Sequence, residues 1–238
     1  MITPKIWDSD FFQFKVGEIK KINKTELLKI INDKVKKFKF LFIELEKKKN
    51  KKINFLLKNK FKIADNRLYF SKNLKTKKDR ITLFNKKIFS IKKLTIKDFP
   101  KLKKISRNLF TESRFFQDKK FNTNQIKKLY NTWIYRALCG QFDDFVYGFY
   151  KNNILIGFCS FAKKNKALKI GLVGLKKKYS GIGLGQIFFE LIFIKMRKNY
   201  NYLNAVTQFK NLNAVKFYYK MGFKKIKETS VLHLWLKK

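Results

Sequence analysis

Apolar residues recur along the chain at two spacings, every second residue as in a strand and every third or fourth residue as in a helix. In the first eighty residues the two spacings alternate. They predict a βαβαβ unit made of the strand Val16–Ile22, the helix Thr25–Ile31, the strand Phe40–Leu45, the helix Ile53–Lys60 and one kinked strand over Phe61–Asp65 and Arg67–Phe70. The polar stretch Lys75–Asp79 indicates a linker, so residues 1–80 are predicted to form a smaller N-terminal unit.

A longer series of elements follows the linker, in the order β-α-α-β-β-β-α-β-α-β-β. Thr95 and Asp98 are the residue pair of a capping box and predict a helix that carries Leu102, Ile105 and Leu109. The other predicted elements are the strands Phe89–Leu94, Phe145–Tyr150, Ile154–Ala162, Lys169–Leu175, Tyr202–Gln208, Lys224–Glu228 and Ser230–Leu236, and the helices Thr123–Leu138 and Asn213–Met221. This mixture predicts an α/β (α+β) fold, with a second domain over residues 86–238.

Anion-binding chemistry is indicated where the strand Lys169–Leu175 is followed by the apolar helical run Ile187–Ile194. Between them, Gly181, Gly183 and Gly185 stand at every second position and leave the backbone uncovered. A strand, a glycine turn and a helix together aim free backbone N–H groups and the positive end of a helix dipole at a phosphate or pyrophosphate. The alternative is a tight turn with no ligand.

The residues after the last glycine exclude two common phosphate motifs. A P-loop requires a Lys and a Ser or Thr directly after its final glycine, and Gln186 and Ile187 stand there instead. A dinucleotide-binding turn requires its third glycine at the position of Gln186. The ligand is therefore expected to be a phosphate compound of another kind.

The net charge of +42 raises the question of a nucleic-acid or membrane partner. Of the 58 basic residues only six are Arg, although nucleic-acid readers favour Arg for its two-pronged hydrogen bonding. Lys, Asn, Ile, Phe and Tyr are abundant while Pro and Gly are scarce, which is the composition that an AT-rich genome produces. We therefore interpret most lysines as solvated surface, with no nucleic acid among the expected partners.

The sequence also bears on the cellular location of the protein and on the role of its two cysteines. No basic-then-apolar leader opens the chain, and the run Ile187–Ile194 is too short to cross a bilayer, so a cytoplasmic protein is expected. Cys139 and Cys159 lack the spacing of a metal or redox site, and both are predicted to be small buried residues. No metal is expected.

The segment Ser180–Gln186 resembles the acetyl-CoA loop of the GNAT acyltransferases, with Ser180 in place of their usual Arg or Gln. A second resemblance to that family lies in Asn211–Phe223, where Tyr218 stands four residues before Gly222. The resemblance implies a C-terminal GNAT fold, with a mixed central sheet flanked by helices.

A narrower resemblance covers nearly the whole chain. The segments Trp7–Phe12, Ser113–Asp118 and Leu129–Ile134 are similar to those of the dTDP-fucosamine (dTDP-4-amino-4,6-dideoxy-D-galactose) N-acetyltransferases, and Lys15–Ser71 would match their half-GNAT N-terminal unit. These relatives acetylate the amine of a nucleotide-linked amino-dideoxy sugar for surface-polysaccharide synthesis. The resemblance implies the same activity here, and it leaves a homodimer open.

The family resemblance also implies which residues contact acetyl-CoA. Tyr218 matches the general acid that protonates the leaving thiolate, with a core tyrosine as the alternative, and Asn211 matches a CoA contact, with Asn213 as the rival. The backbone residues implied are Leu172, Val173, Gly174 and Leu175 for the pantetheine arm, and Ser180, Gly181, Ile182, Gly183, Leu184, Gly185 and Gln186 for the pyrophosphate.

Residues for the acceptor amine are less evident. Arg114 could meet a nucleotide-sugar phosphate, together with Asp118, although an ion pair of Arg114 with Glu112 or Asp118 is the alternative. His233, the single histidine, is interpreted as structural.

No general base stands out, because Asp143 and Asp144 precede a strand and are expected to be solvated. The alternative functions are a GNAT acting on a protein N-terminus or a polyamine, and a basic nucleic-acid-binding protein on a degenerate GNAT scaffold.

Overall fold

The computed structural model describes residues 2–20, 37–76, 87–107 and 109–236. Within these residues, ten strands form one mixed sheet and seven α-helices surround it. The strands are β1 (Ile2–Pro4), β2 (Val16–Ile19), β3 (Phe40–Glu46), β4 (Lys62–Asn73), β5 (Phe89–Lys93), β6 (Phe145–Lys151), β7 (Ile154–Lys164), β8 (Ala167–Leu175), β9 (Tyr202–Gln208) and β10 (Lys224–Trp235). The helices are α1 (Ile6–Phe12), α2 (Asn50–Lys58), α3 (Phe99–Ser106), α4 (Arg114–Gln117), α5 (Thr123–Leu138), α6 (Leu184–Met196) and α7 (Leu212–Lys220).

The predicted α/β fold is confirmed, and most predicted elements lie where the apolar spacing put them. The predicted helix Thr25–Ile31 lies outside the described residues. Leu109 was expected in a helix but lies beyond the end of α3, and the short helix α4, which was not predicted, precedes α5. Cys139 was expected to be buried and is exposed, because α5 ends at Leu138 and leaves the thiol at its open end.

The strand order is β1-β2-β3-β10-β4-β9-β8-β7-β6-β5. Two separate closing strands were predicted over Lys224–Glu228 and Ser230–Leu236, but one twelve-residue strand, β10, spans both and lies inside the sheet. β10 pairs with β3 on one side and with β4 on the other, and two register shifts against β4 absorb the irregularity. The two predicted units therefore share one sheet, and their division between residues 80 and 86 stays a prediction.

Apolar side chains cover both faces of this sheet. On one face, Phe188 and Phe193 of α6 and Tyr218 of α7 pack over β4, β7, β8 and β9 in the largest core cluster. On the other face, α3 and α5 cover β6, β7 and β8, and an aromatic cluster lies beside them against β3. No helix in the described part of the chain has the length and apolarity to cross a membrane.

The sheet opens between β8 and β9. These parallel strands pair only from Ala167 opposite Tyr202 to Lys169 opposite Asn204. Beyond that point β8 continues to Leu175 along β7, while β9 continues to Gln208 along β4. Their backbones diverge, so the edge of β8 that faces β9 is free to pair with an extended ligand.

Candidate active site

The residues implied for the pantetheine arm lie at the opening between β8 and β9. Leu172, Val173, Gly174 and Leu175 are the last four residues of β8, past the point where the two strands separate. Their other edge pairs with β7, where Cys159 is opposite Val173. The segment therefore offers one free line of backbone donors and acceptors, which is what an amide-containing extended chain can pair with.

The glycine turn lies at the end of the same strand. Gly181 and Gly183 adopt φ angles of 83° and 85°, in the left-handed region that favours glycine, and Gly183 caps α6. Ser180, Ile182 and both glycines are exposed, whereas Leu184 is buried and anchors the first turn of α6. Gly185 and Gln186 follow in that turn, and the amide of Gln186 already donates to the Gly183 carbonyl. The exposed turn thus presents the start of α6 at the mouth of the opening.

Asn211 caps a helix in this fold. It is the N-cap of α7, and its side-chain oxygen accepts a hydrogen bond of 3.2 Å from the amide of Ala214. Asn213, the rival, is exposed in the first turn of the same helix. The cap leaves the amide group of Asn211 available as a donor, so a contact with CoA remains a prediction.

Tyr218 is a buried tyrosine on α7. It is 4% exposed and packs against the rings of Phe70, Phe189 and Phe223. Burial raises the pKa of its phenol, and the nearby Cys159 thiol raises it further, so the phenol stays protonated at neutral pH. Cys159 lies on β7 opposite Val173, so Tyr218 is near the pair of strands that borders the opening.

Sequence reasoning missed a polar cluster on the opposite face, formed by Glu44, Asp65, Arg67, Tyr69 and Thr229. Glu44 accepts hydrogen bonds from Tyr69 and, at 2.7 Å, from Thr229, and its other oxygen lies 3.1 Å from Arg67. Arg67 Nε also donates a hydrogen bond of 3.2 Å to Asp65 Oδ2. The cluster therefore joins β3, β4 and β10 through side chains that lie far apart in the sequence.

In the polar cluster, the pKa of Glu44 is lowered and the pKa of Asp65 is raised. Burial acts to raise the pKa of Glu44, but Arg67 and the hydrogen bonds from Thr229 and Tyr69 outweigh it and lower that pKa. Burial raises the pKa of Asp65, although Arg67 opposes the shift. Arg67 pairs with Gln208, the last residue of β9, so the cluster lies one strand away from the opening.

Arg114, predicted to contact substrate, borders this polar cluster. Its guanidinium group lies 4.1 Å from the ring centre of Phe42 and 4.6 Å from that of Phe115. Phe42 shares a face of β3 with Glu44, because side chains two residues apart on a strand point the same way. Burial, and then the charge of Arg67, lower the pKa of Arg114 to about 10. Burial raises the pKa of Asp8 on α1, and the positive charge of Arg114 acts in the opposite direction.

Asp118, the other predicted substrate residue, is engaged within the protein. Its Oδ2 lies 2.8 Å from His233 Nδ1 and accepts a hydrogen bond of 2.8 Å from Trp235 Nε1. Its Oδ1 accepts from the amide of Lys120 at 3.1 Å. This clasp ties the segment after α4 to β10. His233 is 2% exposed, and burial lowers its pKa to about 4, so its ring is neutral at pH 7.

Asp143 was expected to be solvated, and that expectation is wrong. The carboxyl is 4% exposed, because Trp133 of α5 and Ser160 of β7 enclose it. Both donate to Oδ2, Trp133 Nε1 at 3.1 Å and Ser160 Oγ at 2.6 Å. Asp144 fits the expectation, since it is exposed, and it accepts from the Lys163 amide at 2.7 Å.

A groove of about 550 Å³ lies between α3 and α5. Its wall includes Leu109, which touches β8 so closely that a methyl group on Gly174 would lie 2.1 Å from its Cδ1. Tyr130 also lines the groove and feels the charge of Arg114. The basic residues along the groove are Lys103, Lys104, Arg107 and Lys127.

The strand pattern carried a signal for part of this site. Glu44 interrupts an apolar strand, and Asp65 and Arg67 stand two residues apart in the next one, so the pattern already put the latter two on one face. Thr229 carried no such signal. No group of His, Cys, Asp and Glu suited to a metal ion occurs among the described residues.

A comparison with family models decides the family. Residues 105–233, more than half of the chain, match the model described as an acetyltransferase (GNAT) domain. The chain belongs to the GNAT acetyltransferase family. This confirms the resemblance inferred from the glycine turn and from the segment around Tyr218. The matched range contains both segments, together with Arg114 and Asp143.

Individual relatives of this GNAT chain are distant. A spore coat polysaccharide biosynthesis protein, SpsD, of Bacillus subtilis is 23% identical over 132 residues, which are 55% of this chain and 45% of that protein. The chain thus spans less than half the length of this curated relative.

Two solved structures share the fold. A functionally unknown conserved protein from Staphylococcus epidermidis is 13% identical with a TM-score of 0.63, over 94% of this chain and 85% of its own. A GCN5-related N-acetyltransferase from Sphaerobacter thermophilus is 10% identical with a TM-score of 0.59, over 84% and 60% of the two chains. At such identities, the likeness concerns the GNAT fold and not the substrate.

Proposed function

We propose that this chain is an acetyl-CoA-dependent N-acetyltransferase that acetylates the amine of a nucleotide-linked amino-dideoxy sugar. One observation carries the proposal: the free edge of β8 and a polar cluster that can receive an amine lie on either side of one opening in the sheet. Membership of the GNAT family supports the acetyl-transfer chemistry. The polysaccharide role named for the Bacillus relative supports a sugar acceptor.

Acetyl-CoA fits the described residues on two counts. The backbone of Leu172–Leu175 has a free edge, which suits the amides of a pantetheine arm. The exposed turn Ser180–Gly183 opens into the N-terminus of α6, where backbone N–H groups and the helix dipole favour a pyrophosphate. The exposed lysines Lys177 and Lys178 precede the turn and add positive charge where Ser180 replaces the family's usual Arg or Gln.

The reaction requires one new bond, one broken bond and one proton transfer at each end. The neutral amine nitrogen attacks the thioester carbonyl carbon, the N–C bond forms, and the C–S bond breaks. Tyr218, protonated at neutral pH, gives its proton to the departing thiolate. The nitrogen loses a proton to a carboxylate of the acceptor side, directly or through water. Glu44, whose pKa is lowered, is ionised and can accept it.

The acceptor side suits a substrate that carries both an amine and phosphates. Glu44 and Asp65 can bind the amine, and Arg114 can bind a phosphate oxygen. The groove beside them combines basic side chains with the rings of Phe116 and Tyr130, which suits a nucleotide.

A polyamine is the second candidate, and a specific observation favours it. Asp8, Glu44 and Asp65 bring three carboxyl groups to one region of a chain that has only 16 acidic residues. A small polycation without phosphates could bind these carboxyl groups through its amines.

Thiol release from acetyl-CoA distinguishes these candidates, with dTDP-4-amino-4,6-dideoxygalactose and spermidine as acceptors. We expect turnover with the nucleotide-sugar and little with spermidine. Turnover with spermidine alone would replace the sugar proposal by the polyamine one. Turnover with neither, despite calorimetric binding of acetyl-CoA, would overturn both acceptors and keep the family assignment.

A further inference from the structure

The ladder between β7 and β8 is irregular just where β8 leaves β9. Cys159 pairs with Val173, but Phe161 pairs with Ile170, so the two residues Gly171 and Leu172 oppose Ser160 alone. This is a β-bulge, which bends its strand and increases the local twist. It immediately precedes Val173 and Gly174, whose backbone borders the opening.

Buried side chains complete the hydrogen bonding of this bulge. The amide of Leu172 donates to Ser160 Oγ at 2.8 Å, so a side chain supplies its acceptor. Ser160 is 1% exposed, and its own hydroxyl donates to Asp143 Oδ2 at 2.6 Å. A buried amide or hydroxyl that loses its partner destabilises the structure around it, so each link in this series depends on the next one.

The space beside the bulge is also reserved for the Asp143 carboxyl. A methyl group on Gly171 would lie 2.2 Å from Oδ2 and 2.5 Å from Oδ1 of Asp143. Only a residue without a side chain therefore lets the carboxyl approach β8 this closely. Trp133 supplies the second donor to Oδ2, and its ring stacks on Tyr130, which lines the groove between α3 and α5.

We propose that Asp143, acting through Ser160, is a positioning residue that fixes the β8 bulge and so the backbone of Val173 and Gly174 against which the thioester must lie. The inference rests on the proposed acetyl transfer, because the geometry it maintains matters to the reaction only if the thioester binds along β8.

The test compares the substitutions Asp143→Asn and Ser160→Ala with the matched control Asp144→Asn, which alters the exposed neighbour in the same loop. Loss of the bulge geometry is expected to lower kcat about tenfold to hundredfold, since small misplacements of reacting groups have effects of that size. The KM for acetyl-CoA is expected to change little, because most CoA contacts lie elsewhere. Asp144→Asn is expected to match the wild type.

Amide hydrogen exchange supplies a readout that does not depend on turnover. In Ser160→Ala the amides of residues 170–175 are expected to exchange about tenfold faster, because the Leu172 amide loses its acceptor, while the rest of β7 stays protected.

Unchanged kcat in folded variants would overturn the proposal. Exchange that accelerates evenly over the sheet would also overturn it, since it would indicate a purely structural role. If the wild type turned over no amine, acetyl transfer itself would have failed, and local exchange at residues 170–175 would still decide whether Asp143 and Ser160 hold the bulge.

Discussion

The two sides of the sheet opening are built in different ways. On the side assigned to acetyl-CoA, the strand end Leu172–Leu175 and the turn Ser180–Gly183 follow each other within twelve residues. On the side proposed for the acceptor amine, the hydrogen bond from Thr229 to Glu44 joins residues 185 positions apart, and Arg67 comes from a third strand. One side is a local motif, and the other exists only after β10 has inserted between β3 and β4.

This difference explains why the side assigned to acetyl-CoA could be predicted from the sequence and the other side could not. A local motif needs a short run of residues with fixed spacing, so it is visible before folding. A cluster assembled by strand pairing depends on the register of β10, which residue spacing does not specify. Substitutions on the two sides should therefore have separable effects.

The largest effect is expected from Tyr218→Phe, which removes the proposed general acid but keeps the ring that packs on Phe70 and Phe189. Loss of general acid catalysis typically costs about 10²–10⁴ in rate. We expect kcat to fall by that amount while calorimetry shows unchanged acetyl-CoA binding. The matched control is Tyr219→Phe, because Tyr219 is the exposed neighbour on α7. Full activity in Tyr218→Phe would make Tyr218 a core residue.

The next largest effect is a loss of folding stability at low pH, caused by the hydrogen-bonded pair of Asp118 and His233. The pKa of His233 falls from 6.5 to about 4 on folding, chiefly through burial. Between those two pH values the unfolded chain binds a proton that the folded chain does not, so stability is lost as the pH falls. A shift of this size corresponds to about 3 kcal/mol.

Urea unfolding at pH 7 and pH 4 measures this loss. We expect the drop to be smaller in His233→Phe, which cannot titrate and leaves Trp235 and the Lys120 amide on Asp118. Equal drops in the two proteins would mean that His233 is not the group responsible.

A smaller effect is expected for Glu44→Gln on the acceptor side. A hydrogen bond to a charged group contributes about 1.5–3 kcal/mol, so kcat/KM for the amine is expected to fall roughly tenfold to hundredfold. Glu46→Gln is the matched control, since Glu46 lies two residues along β3 and pairs with the lysines Lys48 and Lys227 at the surface. An equal fall in both variants would point to general charge attraction rather than to the polar cluster.

The smallest effect is expected on the acetyl-CoA side from Gly183→Ala. A side chain in the left-handed region costs about 1–2 kcal/mol, which would distort the turn and weaken acetyl-CoA binding several-fold. Gly140→Ala is the control, because Gly140 has a similar φ of 71° beyond the end of α5. It should lose similar stability and keep its acetyl-CoA affinity. Weaker acetyl-CoA binding in Gly140→Ala too would indicate a general effect of destabilisation.

Most of the fold could be predicted from the sequence because its elements are regular. The bounds predicted for β9 and α5 agree with the structure to the residue, since their apolar spacing is unbroken. The interior place of β10 could not be predicted, because a strand with polar residues in its first half resembles an edge strand. Asp143 was misjudged for a related reason: only the packing of Trp133 and Ser160 buries it.

The most direct test of this account is a pair of calorimetric titrations on the wild type, Gly183→Ala and Glu44→Gln. CoA is titrated first, and dTDP-4-amino-4,6-dideoxygalactose is then titrated into the CoA complex, which cannot turn over. We predict that Gly183→Ala weakens only CoA binding and that Glu44→Gln weakens only binding of the amino sugar. If Glu44→Gln weakened CoA as strongly as the sugar, the division of the opening into a cofactor side and an acceptor side would be contradicted.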